Sequence, residues 1–359
     1  MDKLTVIKEE KTDKWDKEVD RYNGGLFMTS IWINCISNEI IKPVYLKFLK
    51  GEENVAITAG VEICRDTGKF RQLLFYSGIA YKSKDPQLAE ECKNALYSYA
   101  KRNGYHRISI RSYDDQTYYP AKSKKFRKSE RSEFVFYFEE DDISGNFSPE
   151  VRRRARKAAK NGAVLKKSDS PEMISRLFKL IDTTYSIRQS KGHSPYSILF
   201  LPFFKSEQIR SLVGKKHAVF YYTEMNGEIM SVSLVFTINK KAYGILMGTS
   251  GKGYKAGVPS FHHYEKTRLM KDEGFEYYNI GGVQQGPKYE GLRRFKKSLG
   301  AKPVRSTEES TKFINKPYSY LNPLLDTKWM LLKMKFFPWK LKKAAIQIID
   351  LAIRKRDRY

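Results

Sequence analysis

Apolar runs separated by turn signals divide this chain into two similar series. In the first half, KPVYLKFL, NVAITAGVEI and RQLLFYSGIAY read as strands, and a helical stretch follows from Pro86 to Lys101. The segment AKRNGYHRISI (100 to 110) then gives a helix end, a stop at Gly104 and a further strand. In the second half, HAVFYYTEMNGEIMSVSLVFTINKKAYGILMGTS predicts three strands joined by MNGE and INKKA turns. A helix from about Pro259 to Glu273 comes next, and MKDEGFEYYNI (270 to 280) repeats the helix end, the stop at Gly274 and the strand. A repeat of this length implies two copies of one α/β unit.

Between the copies, SPEVRRRARKAAKNGAVLKK (148 to 167) has a helix start at Ser148 and Pro149 and a stop at Asn161 and Gly162. Most of its basic residues are expected to be solvated, with Arg152 and Arg156 on one stripe able to face a ligand. Beyond Pro338 a basic amphipathic helix is expected, with Leu341, Ala344, Ala345, Ile348, Ile349 and Ala352 on one face and Lys340, Lys342 and Lys343 at its start. It has two destinations: an anionic membrane surface or the protein's own core. The expected division is residues 1–139 for the first unit, 140–165 for the connecting helix, 166–312 for the second unit and 313–359 for the tail.

Composition narrows the class of partner more than the fold. The chain has 359 residues, 41% hydrophobic and 14% aromatic, enough apolar surface for substantial cores. Its 67 basic and 40 acidic residues leave a net charge of +27, which attracts phosphates and anionic surfaces. Cys35, Cys64 and Cys92 form no CxxC pair and are odd in number, which argues against a disulfide framework or a zinc site and for a reducing cytoplasm. His262 and His263 are adjacent on a helix and so lack the i, i+4 spacing of a metal pair; no metal is expected. A charged N-terminus and the lack of any apolar stretch of about 18 residues exclude a signal peptide and a spanning helix.

Several segments together resemble the Fem-type aminoacyltransferases of peptidoglycan cross-bridge synthesis and their relatives in the GNAT acyltransferase superfamily. These are WDKEVDRYNGGLFMTSIW, RRRARKAAKNGAVL, YGILMGTS, GFEYYNIGGV and GLRRFKKSLGA, within roughly residues 14 to 305. The resemblance implies an α/β (α+β) fold of two tandem GNAT-like units, each a mixed, mostly antiparallel sheet flanked by helices. It places the acyl donor in the second unit and the Phe295–Lys296 pair beside the reacting centre. Trp32, Arg152, Arg156, Tyr278 and Asn279 are the candidate substrate-binding residues. Two features depart from the family pattern: no lysine follows the Ser/Trp motif near Trp32, and Asn279 stands where an aspartate commonly precedes the two glycines.

The chemistry that follows is acyl transfer to an amine, through a tetrahedral intermediate whose oxygen becomes negative. Lys296 is suited to stabilise that oxygen and Phe295 to exclude water from it. Gly251, Gly253 and Gly257, with Lys252 and Lys255, offer a glycine-rich segment leading into a helix as a cradle for the donor's phosphates. No general base is identifiable; Glu265, Glu290 and Tyr278 lie near the motifs. The donor is an acyl coenzyme A or an aminoacyl-tRNA, neither tightly bound as a cofactor. The lack of a long charged hairpin in the second unit tilts the choice towards coenzyme A. The acceptor is a glycan or peptide precursor of the cell envelope, carried on a lipid if the tail binds membrane, and the protein then sits at the inner membrane face. A non-catalytic RNA-binding protein is the rival, suggested by the charge and by KSKKFRKSER (122 to 131).

Overall fold

The computed structural model describes residues 4–65, 70–83, 85–114, 123–139, 143–190, 205–286, 289–334, 341 and 344–349. Along the chain these form β1 (Leu4–Lys8), α1 (Trp15–Arg21), α2 (Ser30–Ile36), β2 (Ile41–Lys50), β3 (Glu53–Arg65), β4 (Phe70–Phe75), β5 (Ala80–Tyr81), α3 (Pro86–Arg102) and β6 (Arg107–Ile110). There follow β7 (Phe126–Tyr137), α4 (Pro149–Lys160), β8 (Ala163–Ser168), α5 (Glu172–Ser190), α6 (Ser206–Gly214), β9 (Ala218–Met225), β10 (Glu228–Ile238) and β11 (Lys241–Thr249). The series ends with α7 (Gly251–Ala256), α8 (Val258–Asp272), β12 (Tyr277–Gln284), α9 (Glu290–Ser298), β13 (Lys302–Thr311) and α10 (Asn322–Lys333).

Two compact units result: residues 1–130 with 306–359, and residues 131–305. The boundary therefore falls at Glu130/Arg131 where 139 was expected, and the chain returns to the first unit at Ser306 where 312 was expected. The physical reason is strand pairing, since β7 from Arg131 onward pairs with β12 and β13 pairs with β6. The basic helix expected as a connector is α4, which packs on α8 inside the second unit.

In the first unit the strand order is β1-β2-β3-β4-β6-β13, with β4 and β6 parallel and the other neighbours antiparallel. Helix α3 is capped by Asp85, whose side chain accepts from Gln87 N at 2.8 Å, and begins with Pro86. Its Leu88, Cys92, Leu96 and Ala100, four residues apart, form the stripe that joins Val44, Phe48, Leu73 and Phe75 of the sheet in one core.

In the second unit the order is β7-β12-β11-β10-β9-β8, with only β11 and β12 parallel. The MNGE and INKKA turns form as expected, with Asn226, Gly227, Asn239 and Lys240 all at positive φ. Gly104 and Gly274 close their helices at φ 72° and 79°. Ser148 caps α4, accepting from Val151 N at 3.3 Å.

The expected tail helix is described only at residues 341 and 344–349. Residues 344–349 are helical, but Ile349 is buried while Leu341 and Ile348 are exposed, so the five described apolar positions do not share one covered face. Ala352, the lysines at 340, 342 and 343, and the basic cluster from Arg354 to Arg358 lie outside the described residues.

Candidate active site

The second unit's sheet opens where its two parallel strands part. Strands β11 and β12 pair only from Lys241↔Tyr277 to Tyr243↔Asn279. Immediately beyond, the β10/β11 register shifts between Leu234 and Val235, and the β12/β7 register shifts between Asn279 and Gly282. Such irregularities bend strands and re-aim backbone groups. The two shifts bracket the fork.

Lys296 reaches this fork from α9. Its Nζ donates to Ile280 O at 2.6 Å and to Gly281 O at 2.8 Å, the two carbonyls just past the last paired residue. Gly281 supplies one of them from φ 82°, where a side chain is strained. Gly282 is constrained differently: a Cβ there would lie 1.6 Å from Arg131 Nη2, because the Arg131 guanidinium lies across the bare backbone. Both glycines of NIGGV are thus required by geometry.

An ammonium has three N–H donors, and the carbonyls occupy two. Burial pulls Lys296 down to about 7, Arg131 adds to the effect and Glu133 opposes it. The two carbonyl dipoles oppose that burial by favouring the charged form, and no carboxylate is in contact with the group among the described residues. Glu133 is engaged elsewhere, accepting from Arg131 Nη2 at 3.2 Å and from Asn279 Nδ2 at 3.1 Å. Asn279 uses its other atom to accept from Gly281 N at 2.7 Å. An aspartate could make the second bond but not the first, which accounts for the asparagine here.

Phe295 is half-buried, edge-on to His263 at 5.9 Å, and packs against the unit's core. Behind it lies a polar chain that the sequence did not reveal. His262 is fully buried, with Nδ1 2.9 Å from Thr223 Oγ1 and Nε2 2.8 Å from Ser233 Oγ. Lys266 Nζ donates to the same Ser233 Oγ at 3.1 Å and stands 5.4 Å from the Tyr278 ring centre. Burial pushes Lys266 down to about 7 and both histidines well below their usual range. The i, i+4 relation of His262 and Lys266 on an otherwise apolar helix face was the available signal.

The remaining expected residues divide clearly. Trp32 is fully buried against Phe27 and Tyr76, and Tyr278 is buried against Phe136, so neither is available to a substrate. Their aromatic mass is needed by the cores. Asn279 is buried and orders the fork. Arg152 and Arg156 lie one turn apart on α4 and have no carboxylate partner among the described residues, whereas Arg153 and Arg154 both pair with Glu150.

The segment expected as an open phosphate loop is instead helical over Gly251–Ala256, capped by Ser250, and Gly257 at φ 80° turns it into α8. Within it Gly253 is buried and Lys255 exposed, while Lys252 pairs with Glu228 at 2.8 Å. Glu265 and Glu290 are paired with Arg268 and Arg293. Among the described residues no group of three metal-ligating side chains gathers, and no helix is long and apolar enough to cross a membrane.

The fork and the lysine beside it lie in a stretch with a recognisable family relation. Residues 145–297 match the family model described as an acetyltransferase (GNAT) domain. No curated protein sequence matches the chain. Among solved structures, FemX is similar at 13% identity and TM-score 0.61, over 84% of this chain and 96% of that one. L-PGS from Bacillus licheniformis is similar at 15% identity and TM-score 0.51, over 84% and 92%. A tandem GNAT protein from the clavulanic acid biosynthesis pathway is similar at 9% identity and TM-score 0.52, over 87% and 99%. Residues 145–297 thus match a GNAT domain, and the chain as a whole shares its fold with these structures, one of them a tandem GNAT protein.

Proposed function

We propose that this enzyme transfers an activated acyl group to an amine of a cell-envelope sugar or peptide precursor, with Lys296 as the cation at the reacting carbonyl. The observation that carries the reading is the position of Nζ at the fork, fixed by two carbonyls and with no third hydrogen-bond partner among the described residues. An extended, amide-bearing donor arm entering between β11 and β12 meets strand edges no longer paired to each other, and can bond to them as an added strand would. The acceptor amine then attacks the acyl carbon, the carbonyl electron pair moves to oxygen, and the third N–H of Lys296 donates to that oxyanion. Phe295 shields it from water, so the interaction acts in a low dielectric. Collapse expels the donor's leaving group, a thiolate or a ribose alkoxide, which takes up the proton that the amine nitrogen sheds as the amide forms.

Acyl coenzyme A is the first choice of donor, since the matching domain is of the acetyltransferase type. Aminoacyl-tRNA is the second reading, supported by the resemblance of the sequence to the Fem-type aminoacyltransferases and by Arg152 and Arg156, which have no carboxylate partner among the described residues and lie on a helix that packs on α7 and α8. A thermal-shift panel of acyl coenzyme A thioesters against charged tRNA, followed by mass spectrometry of acceptor mixtures, tests the proposal. A stabilising donor that is consumed by wild type and not by Lys296→Met supports it. Equal turnover by that variant refutes the role given to Lys296.

A further inference from the structure

One peptide unit of the fork is held from both sides. The β12/β7 register runs to Asn279↔Val135 and resumes at Gly282↔Glu133, so Ile280 and Gly281 fall outside the ladder. In a trans peptide the C=O of one residue and the N–H of the next point in opposite directions. The Ile280–Gly281 peptide offers its carbonyl on one side, where Lys296 Nζ donates at 2.6 Å, and its N–H on the other, where Asn279 Oδ1 accepts at 2.7 Å. Side chains do here what the ladder does elsewhere, and all of them belong to the second unit.

Asn279 can accept from Gly281 only with its amide turned one way, and Glu133 sets that turn. A carboxylate accepts and cannot donate, so it takes the Nδ2 end of Asn279, at 3.1 Å, and leaves Oδ1 for the backbone. Nδ2 also donates to Tyr277 Oη at 3.2 Å. The other oxygen of Glu133 accepts from Arg131 Nη2 at 3.2 Å, and that guanidinium lies across Gly282, where the ladder resumes. Arg131, Glu133 and Asn279 are all buried. A buried ion pair costs desolvation, and uncharged side chains of similar shape would join β7 to β12 as well. What charge adds is its effect on Lys296, whose cation Glu133 favours and Arg131 opposes. From α8, His263 lies in the field of both Lys296 and Lys266 and is held neutral. On α9 itself Glu290 is paired with Arg293, and Lys297 is exposed.

We infer that Glu133 is a positioning residue for Lys296, acting through Asn279 on the peptide that carries the ammonium and, against Arg131, on the charge beside it. Its consequence for catalysis rests on the acyl-transfer reading of Lys296, but its test needs no acyl donor. The full chain is isotope-labelled at lysine Cε, the Lys296 resonance is identified by its loss in Lys296→Met, and its titration is followed by nuclear magnetic resonance in wild type, Glu133→Gln and Asn279→Ala. The first variant removes the negative charge and keeps the shape; the second keeps the charge and cuts the hold on the peptide. Each is expected to weaken proton binding by Lys296 about threefold or more, moving its midpoint below the wild-type value of about 7.

The sign separates positioning from a merely structural role. A loosened site admits water and moves a buried lysine up towards its ordinary value of about 10.4. A midpoint that stays or rises in variants with wild-type circular dichroism overturns the inference, and Asn279→Ala decides alone if Glu133→Gln does not fold. Transfer assays on the same variants keep the two proposals apart. An unmoved midpoint refutes positioning by Glu133 and leaves the reading of Lys296 intact, whereas equal turnover by Lys296→Met refutes that reading and leaves the titration result standing.

Discussion

Lys266 gives a test of the buried polar chain that requires no substrate. It is 1% exposed, its only hydrogen-bonded neighbour named above is a serine hydroxyl, and burial holds it near 7. In the unfolded chain a lysine titrates near 10.4. Between those values the unfolded state binds a proton that the folded state lacks, so this lysine makes stability rise with pH. At about pH 7 the folded group is half protonated, and by about pH 9 it is neutral while the unfolded one is still charged. With about 1.4 kcal/mol per unit at full effect, the gain over that window is about 2 kcal/mol. The histidines, held well below their usual range, are already neutral there and contribute no slope.

Lys266→Met removes this group while keeping an unbranched chain of similar size. Wild type and variant are unfolded in urea at both pH values and followed by far-ultraviolet circular dichroism. All four tryptophans lie in the first unit, so tryptophan fluorescence reports on that unit separately. The stability of the variant relative to wild type is expected to decrease by about 2 kcal/mol from about pH 7 to about pH 9, with other titrating groups cancelling in the comparison. A difference that does not change with pH refutes the assignment of a buried, depressed lysine.

Four further outcomes follow from the fork. Lys296→Met is expected to lower the transfer rate about a hundredfold or more, measured by single-turnover assay at saturating donor. Because burial holds Lys296 near 7, the wild-type rate is expected to fall as pH rises through and above that value, and Lys296→Arg should lack this descending limb. Gly281→Ala, at φ 82°, should cost about 1–2 kcal/mol in urea unfolding and move the carbonyl that orients Nζ. Asn279→Asp faces the Glu133 carboxylate with a second one, so its destabilisation should be larger at about pH 8 than at about pH 5, where carboxylates begin to take up protons.

What could be read from the sequence was what local physics decides. The stops at Gly104 and Gly274, the Asn226–Gly227 turn and the Ser148 cap depend on a few adjacent residues, and all four took the expected form. The position of Phe295 and Lys296 beside the parting strands came from a family likeness, not from spacing. The segment 251–256 misled because glycine is read as loop, yet Ser250 capping and close packing of Gly253 on Thr249 and Met230 keep it helical. Trp32 and Tyr278 misled because an aromatic in a motif looks like a binding platform, whereas burial is settled by partners distant in sequence. Arg131 and Glu133 were invisible for the same reason: their roles arise from pairing of β7 with β12, about 150 residues apart in the chain.

Strand pairing also bears on the proposal that the reacting centre lies in the second unit and not the first. In the first unit β4 and β6 are the counterpart parallel pair, aligned over Gln72↔Arg107 to Phe75↔Ile110. There the strands do not separate: Arg111 N donates to Phe75 O at 2.8 Å and Tyr113 N to Tyr76 O at 2.7 Å, continuing the pairing past the point where β11 and β12 part. Phe27, Trp32, Tyr76 and Tyr113 then pack together at that end, with Phe27 4.9 Å from Trp32 and 5.6 Å from Tyr113. A donor arm would have to break backbone hydrogen bonds and displace buried aromatics to enter. Buried hydrogen bonds and packed rings each resist that by about a kilocalorie per mole or more. In the second unit the shifted registers have already opened the strands, and a single lysine holds the two carbonyls so exposed. On the proposed mechanism the donor therefore enters the second unit, where the strands part, and not the first, where the pairing continues.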